Sequence, residues 1–436
     1  MYVRWLVITH PDVFIPYACI MKLERIKRVV VSQSNVPVSS VSGGRKMSEK
    51  IVHQFMRVNV KILEITELWL EDGNLTAKKM KILKLCIMFI LVCPTCIPLL
   101  REFIIVLIDP APDIVHRIQI ILAESCVLGA MYMVICFWKN RSQIKDLVDS
   151  IADFANYSEL DLLIIDEKAG FFSKIVLGYS LSGMVIYTLS PLLSTESCEK
   201  VKSQYKIDHG IPCGIIVPIR IPIDPENSHI FRFYVFDQVV NGVLAVLVVV
   251  NITMMVCGLV EHAISQLKQV RCLMSKLSES GNIEEKLGFV VKYHYAVIRF
   301  INNINKYFGS QLVLHFTLTS VVISLLGFQI LMVNDRKESL MYALHLIGWL
   351  IMLYNICYYG QLLIDESIGV AFDAYSVPWY NCSVRVQKDI KFIVMRSQKP
   401  LTLKAMNLGI MSHPTFLGVI SSSYSYFTLL LKVKNA

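Results

Sequence analysis

Gln238 to Val260 contains no Asp, Glu, Lys or Arg and is almost continuous Val, Leu and Met. About twenty such residues in a helix cross the hydrocarbon core of a bilayer, since each adds about 1.5 Å. Inside that core every backbone N–H and C=O must find its partner within the chain, so only helices and closed barrels span it. Similar runs recur along the sequence. Ile118 to Trp138 is apolar except for Glu124, and Ile175 to Thr195 carries no charge. Tyr307 to Asn334 and Ser339 to Ile364 are also uncharged, separated only by Asp335-Arg336-Lys337-Glu338. Ala405 to Leu431 is a further uncharged run near the C-terminus. Ile82 to Ile108 is the weakest, broken by Pro94, Pro98 and Arg101-Glu102. The expected fold class is all-α, a polytopic membrane protein with seven transmembrane helices. Composition agrees, with 18% charged residues against about 25% in ordinary soluble domains.

Charge in the connections sets an orientation. The segments 78–84, 139–174, 261–306 and 366–404 hold four, five, seven and six Lys or Arg. Those at 109–117, 196–232, 335–338 and 432–436 hold one, five, two and two. The first set is therefore expected to be cytoplasmic, which puts the N-terminus inside and the C-terminus outside. The sequons agree: those at Asn74, Asn156 and Asn381 would be cytoplasmic, and the one at Asn251 lies within a span. The net charge of +9 is spread over these loops and does not form a nucleic-acid patch.

The cytoplasmic connections carry helical periodicity of their own. Leu267, Val270, Leu273, Met274 and Leu277 continue the fourth span, and Asn282 with Glu285 reads as a capping box for the next helix. Leu287, Val290, Val291, His294, Val297, Ile298, Ile301 and Ile304 then lead into the fifth span. A further helix over Ser383 to Ser397 shows Val386, Ile390, Ile393 and Val394 on one face. These apolar faces must pack within the chain or on another subunit.

No Walker loop, G-x-S-x-G, H-E-x-x-H or paired metal-ligand cluster occurs, so no enzyme, metal or cofactor is expected. Cys93-Pro94-Thr95-Cys96 lies inside an apolar run, where a thiol acts as a small hydrophobe. Cys198 and Cys213 share one polar loop and are candidates for a disulfide if that loop is extracellular. His262 and His294 are single residues on amphipathic helices, where partial solvation is expected, and Arg232 and Asp237 read as markers of the membrane interface. Glu124, a carboxylate inside a span, needs a partner or water.

Three short motifs sit in one order near the C-terminus: Pro378-Trp379-Tyr380, Arg396-Ser397-Gln398-Lys399-Pro400 and Ser423-Tyr424-Ser425-Tyr426-Phe427-Thr428-Leu429-Leu430. Together they resemble the C-terminal signature of the insect odorant receptors, closely over Tyr354 to Lys432 and by span order from about Met56 onward. The resemblance implies an odorant-gated, non-selective cation channel subunit that confers ligand specificity in a heteromer, expected to be a tetramer, with the olfactory co-receptor. Its ligand would be a small volatile hydrophobic odorant and its setting the plasma membrane of a sensory dendrite. The chain lacks the co-receptor's long cytoplasmic insertion and its ending, which points to a tuning receptor.

In those terms residues 1–55 form an atypical extension, an over-long reading of the gene or a disordered segment, with Met47 or Met56 a more natural start. Residues 56–364 hold spans one to six, 365–404 a cytoplasmic anchor, and 405–436 a pore-lining seventh span with a short tail. The resemblance places the ligand pocket in the outer halves of spans two, three, four and six. There Ser180, Gly183 and Tyr187 share one face of span three, Tyr342 and His345 one of span six, and Phe236 with Val240 one of span four. Ile118, Ile121 and Leu122 are the span-two candidates. It also places an outer hydrophobic gate at Leu429 and Val433, with Lys432 where the co-receptor has a neutral amide. A G-protein-coupled receptor would need the reverse orientation, and its Asn-Pro-x-x-Tyr pattern is missing from the last span. A secondary transporter would show internal repeats. A gustatory receptor shares the architecture and is separated by the Ser-Tyr-Ser-Tyr-Phe ending.

Overall fold

The computed structural model describes residues 55–69, 94–109, 111–158, 160–200, 202–220, 228–277, 283–333 and 335–435. Residues 1–54, the Asn74 sequon, Cys93 and Asn282 of the expected capping box lie outside them. The described helices are α1 (Arg57–Ile65), α2 (residues 94–108), α3 (Ile114–Asp149), α4 (Leu162–Leu193), α5 (Ser228–Ser275), α6 (Ile283–Met332), α7 (Arg336–Ser376), α8 (Val384–Ser397) and α9 (His413–Asn435). Side chains start several of them. Asp113 accepts from the His116 N–H at 2.7 Å, Asp161 from Leu163 at 3.0 Å and Asp335 from Lys337 at 2.9 Å, each satisfying a backbone donor that a helix start leaves open.

Helices α3 to α7 are long and apolar enough to cross a membrane. At about 1.5 Å per residue the 48 residues of α5 reach roughly 70 Å, more than twice the hydrocarbon thickness. The surplus lies on one face of the bundle, where α3, α5 and α7 end and α4 and α6 begin; this is the extension face, and the opposite one the loop face. Sequence periodicity anticipates the extensions of α5 and α6 but not those of α3 and α4, which it reads as charged loop. Ile144, Leu147, Val148, Ile151 and Phe154 are all buried there, on the end of α3 and the 3-10 segment Ser150–Asn156 that follows.

The main core fills the extension face. Leu267, Val270, Met274 and Leu277 of α5 and its exit pack with Leu287, Val290, Val297, Ile301 and Ile304 of α6 and with Val386, Ile390 and Ile393 of α8. Val291 departs from the expected stripe and is exposed. His262 and His294, expected to be partly solvated, are buried. His262 lies 3.6 Å from Asp166 and edge-on to Phe55, because Phe55 and Met56, just before α1, lie over α4 and α5. Polar contacts hold Met56 and α1 there: the Met56 N–H donates to Asp166 at 2.6 Å, and Asn59 of α1 and Asn251 exchange hydrogen bonds at 2.9 Å. Asn251 is thereby occupied inside the bundle.

Arg271 ties α5 to α7. Its Nε–H donates to Asp373 and its Nη1–H to Glu366, both at 2.6 Å. The guanidinium crosses α7 at Gly369, where a Cβ would stand 2.5 Å from the Arg271 Cζ. Gly369→Ala is expected to push the guanidinium off both carboxylates and cost about 1 kcal/mol, since the pair is partly exposed. Thermal unfolding in detergent checks this, and in an Arg271→Ala background the same change should cost nothing further.

The uncharged run Ala405 to Leu431 is not one helix. Lys404–Ala405 and Gly409–Ile410 pair antiparallel as a short hairpin, with Met406 left-handed at φ 49°, and α9 begins only at His413. The backbone that leads into this hairpin is held against α6 and α7. Asn305 donates to the Thr402 carbonyl and accepts from the Lys404 N–H, both at 2.8 Å, and Ser367 Oγ accepts from the Leu401 N–H at 2.9 Å. Helix α9 is less apolar than α3 to α7, since Ser421, Ser422, Ser423, Tyr424, Ser425 and Tyr426 occupy its middle. It lies on α6, where Ser324 donates to the Ser423 carbonyl at 2.8 Å and the Phe427 ring closes to 3.5 Å of a Cβ position at Gly327.

Candidate functional site

At the loop face, α3, α6 and α7 build a second apolar cluster. Ile118 and Leu122 of α3 are buried against Leu325, Leu326 and Phe328 of α6 and Met341 and Tyr342 of α7, with Ile121 and Tyr187 packed on them. Rings converge there. Tyr187 stands edge-to-face with Tyr342 at 6.2 Å and with His345 at 5.4 Å. Of the ten pocket candidates, Ile118, Ile121, Leu122, Tyr187, Tyr342 and His345 come together. Gly183, one turn from Tyr187, has open space where a Cβ would stand, whereas Ser180 turns its hydroxyl back to the Val176 carbonyl at 2.9 Å. Val240 is half-buried on α5 and Phe236 is 61% exposed.

Polar groups frame these rings. Gln119 donates to the Tyr342 hydroxyl at 3.1 Å, and the Trp349 indole N–H donates to His345 Nε2 at 3.1 Å. Sequence reasoning does not single out either partner. Gln119 was detectable as an amide inside an apolar run, but its contact with Tyr342 joins distant parts of the chain. Glu124 is buried lower on α3, with one carboxylate oxygen unpartnered among the described residues.

The connection between α4 and α5 covers this end. Cys198 and Cys213 are disulfide-bonded with Cα atoms 6.0 Å apart. Within the loop, Tyr205 lies against His116 and His209 and under the Arg220 guanidinium, and Arg220 pairs with the buried Glu102 at 2.9 Å. Gln238 of α5 accepts from the Ile216 and Val217 N–H groups at 2.9 and 3.1 Å. Burial pulls the Lys206 ammonium below the usual lysine range, with Asp113 and Glu338 opposing that shift. Asp237 proves to be a buried link to Thr95 of α2 and to Asn241 rather than an interface marker.

The end of α9 meets the same cluster. Phe427, Leu430 and Leu431 pack against it, while Leu429 is 58% exposed and Lys432 is exposed. The Val433 side chain lies outside the described ones.

The profile of the 7tm Odorant receptor family matches residues 117–424, most of the chain, from the first turn of α3 through α8 and into the first half of α9. The chain belongs to the 7tm odorant receptor family. This receptor is 26% identical to Odorant receptor 67c of Drosophila melanogaster over 220 residues, 49% of its own length and 54% of that protein's. It is 28% identical to Odorant receptor 85b of the same organism over 213 residues, 48% of its length and 55% of the relative's. The alignments thus span about half of each relative. The Odorant receptor coreceptor of Aedes aegypti matches at 26% over a shorter 156 residues, 35% of this chain and 32% of that one. The fold superposes on the insect olfactory receptor OR5 from Machilis hrabei in complex with eugenol with a TM-score of 0.70, at 16% identity, over 89% of this chain and 98% of that one. At that identity the likeness is one of fold.

Proposed function

We propose that this receptor is the odorant-tuned subunit of a ligand-gated, non-selective cation channel that works beside a co-receptor subunit in a sensory membrane. The carrying observation is that Tyr342 and the end of α9 share one apolar cluster, in which Ile118, Leu122 and Leu326 are buried. A small molecule wedged beside Tyr187 and Tyr342 changes what Phe427, Leu430 and Leu431 lean on. It shifts the closed–open balance by its differential affinity for the two arrangements and by no more. An odorant of about ten heavy atoms at roughly 0.6 kcal/mol each binds at about −6 kcal/mol, in the tens of micromolar.

Leu429 is exposed while its neighbours Leu430 and Leu431 are packed, which is the orientation a pore-lining side chain needs. In this reading Leu429 and Val433 close the pore by dewetting. Lys432 beside them disfavours four identical copies, whose four ammonium groups would repel cations, and favours assembly with a co-receptor. Phe372, Tyr375, Tyr380, Phe392 and Met395 are exposed on the extension face and supply apolar area for contact with other subunits. Residues 365–404 then act as the cytoplasmic anchor, 56–364 as the ligand-binding body and 405–436 as the gate and tail.

The reading needs the extension face in the cytoplasm. Asn156 and Asn381, both exposed on that face, test it. A tag after residue 436 should stain on intact cells, and endoglycosidase should leave the mobility of the expressed protein unchanged. A hidden tag with glycans at Asn156 or Asn381 would reverse the orientation and remove the channel reading.

A further inference from the structure

We infer that the odorants favoured at the Tyr187–Tyr342–His345 cluster carry a hydrogen-bond acceptor and need no donor: the carbonyl of an ester, ketone or aldehyde on an apolar frame. The inference rests on the odorant-site reading above and names the ligand class of that site. Its basis is a surplus of donors. An indole N–H can only donate, so the Trp349 contact makes His345 Nε2 the acceptor and places the proton of the neutral imidazole on Nδ1. That Nδ1 is buried and has no partner among the described residues. The Tyr342 hydroxyl accepts from Gln119 Nε2, which leaves its own proton unspent. As placed, Gln119 Oε1 is a buried acceptor with no partner among the described residues; reversing the amide gives it the Tyr342 proton and leaves the amide N–H groups free, so donors outnumber acceptors in either orientation. Tyr187 makes no hydrogen bond among the described residues, and its ring touches both of the others.

The walls are apolar: Ile118, Ile121, Leu122, Cys126 and Leu346 surround these rings. A carbonyl oxygen accepts from a free donor and brings none of its own. A hydrocarbon of the same size leaves all of them unmet, and an alcohol adds a proton whose place, Gln119 Oε1, is taken by Tyr342 once the amide is reversed. Sites with polar groups to satisfy reject analogues that lack the matching group.

The test is a set of dose–response curves recorded by voltage clamp from cells expressing the full chain with a co-receptor. The probes are methyl hexanoate, 1-octanol and nonane, equal in heavy-atom number, and the same three-way comparison repeated on branched, cyclic and aromatic frames. On whichever frame responds, the carbonyl member should be more potent than the hydrocarbon by about tenfold or more, with the alcohol between them. Tyr342→Phe should weaken the carbonyl member about five- to tenfold and leave the hydrocarbon within about twofold. Trp349→Phe keeps Tyr342 and frees His345 to change tautomer; it should flatten the carbonyl preference and serves if Tyr342→Phe does not reach the surface. Equal potency of hydrocarbon and carbonyl, an alcohol that outranks the carbonyl, or equal weakening of all three by Tyr342→Phe would overturn the inference. So would currents to other odorants with every carbonyl silent, which would leave the channel reading standing. Silence to every odorant would instead sink that reading, and this inference with it.

Discussion

Gly360→Ala is expected to be the most damaging single-methyl addition in this receptor. A Cβ at Gly360 of α7 would be driven into the Met411 carbonyl oxygen, with the carbonyl carbon 2.9 Å and the Met411 Cβ 3.2 Å away. Two of these atoms are backbone, and that backbone is not free to move. The Met411 N–H donates to Leu403 at 2.9 Å, and Asn305 holds residues 402 and 404. The methyl must therefore displace the whole connection from α8 to α9. Overpacking of this kind costs roughly 1–3 kcal/mol, and the fixed backbone puts it at the upper end. Gly418→Ala, on α9 a few residues on, provides the control. A Cβ there meets nothing within 4 Å, so the change should be neutral or gain up to about 1 kcal/mol of helix propensity. Heat denaturation in detergent should show a clear loss for Gly360→Ala and none for Gly418→Ala. Because α9 hangs from this connection, the surviving Gly360→Ala protein should also respond less to odorant.

Leu429→Ala is the second large effect. In the proposed channel Leu429 narrows the closed pore, and a dewetting gate depends steeply on how much apolar side chain reaches the axis. Removing most of that side chain should raise the resting current without odorant, while the stability of the protein stays near wild type, since Leu429 is already exposed. The neighbouring Leu430→Ala should do the opposite: it removes packing from the loop-face cluster and should lower stability with less effect on resting current. Unchanged resting conductance in Leu429→Ala, measured in complexes with the co-receptor, would take that residue off the pore axis.

The parts of the fold that could be read from sequence are those with a local cause. Helix α8 follows from Val386, Ile390 and Ile393 at helical spacing behind Ser383, which caps it by accepting from the Val386 N–H. The spans within α3 to α7 follow from uncharged length. What could not be read depends on distant packing. Absence of charge made residues 405–412 look like the start of a span, but Asn305 fixes the backbone just before them to α6, Met411 packs on Gly360 of α7, and Met406, Leu408 and Ile410 between them are exposed in a hairpin. The charged ends of α3 and α4 looked like loops because Ile144, Leu147 and Phe154 find their burial only against other helices. His262 and His294 are buried for the same reason. At the site, spacing grouped Tyr342 with His345, and Tyr187 with Gly183. Only the tertiary fold brings these pairs together and adds Gln119 and Trp349, whose hydrogen bonds set which polar atoms remain free.

In the proposed channel, odorant-evoked current needs this chain and a co-receptor together. The direct measurement is whole-cell recording from cells expressing the receptor alone, a co-receptor alone, and both together, across one odorant panel. Both together should give currents to odorants that neither gives alone, reversing near zero millivolts as a non-selective cation conductance does. Identical responses from the co-receptor with and without this chain, despite its presence at the cell surface, would contradict the account.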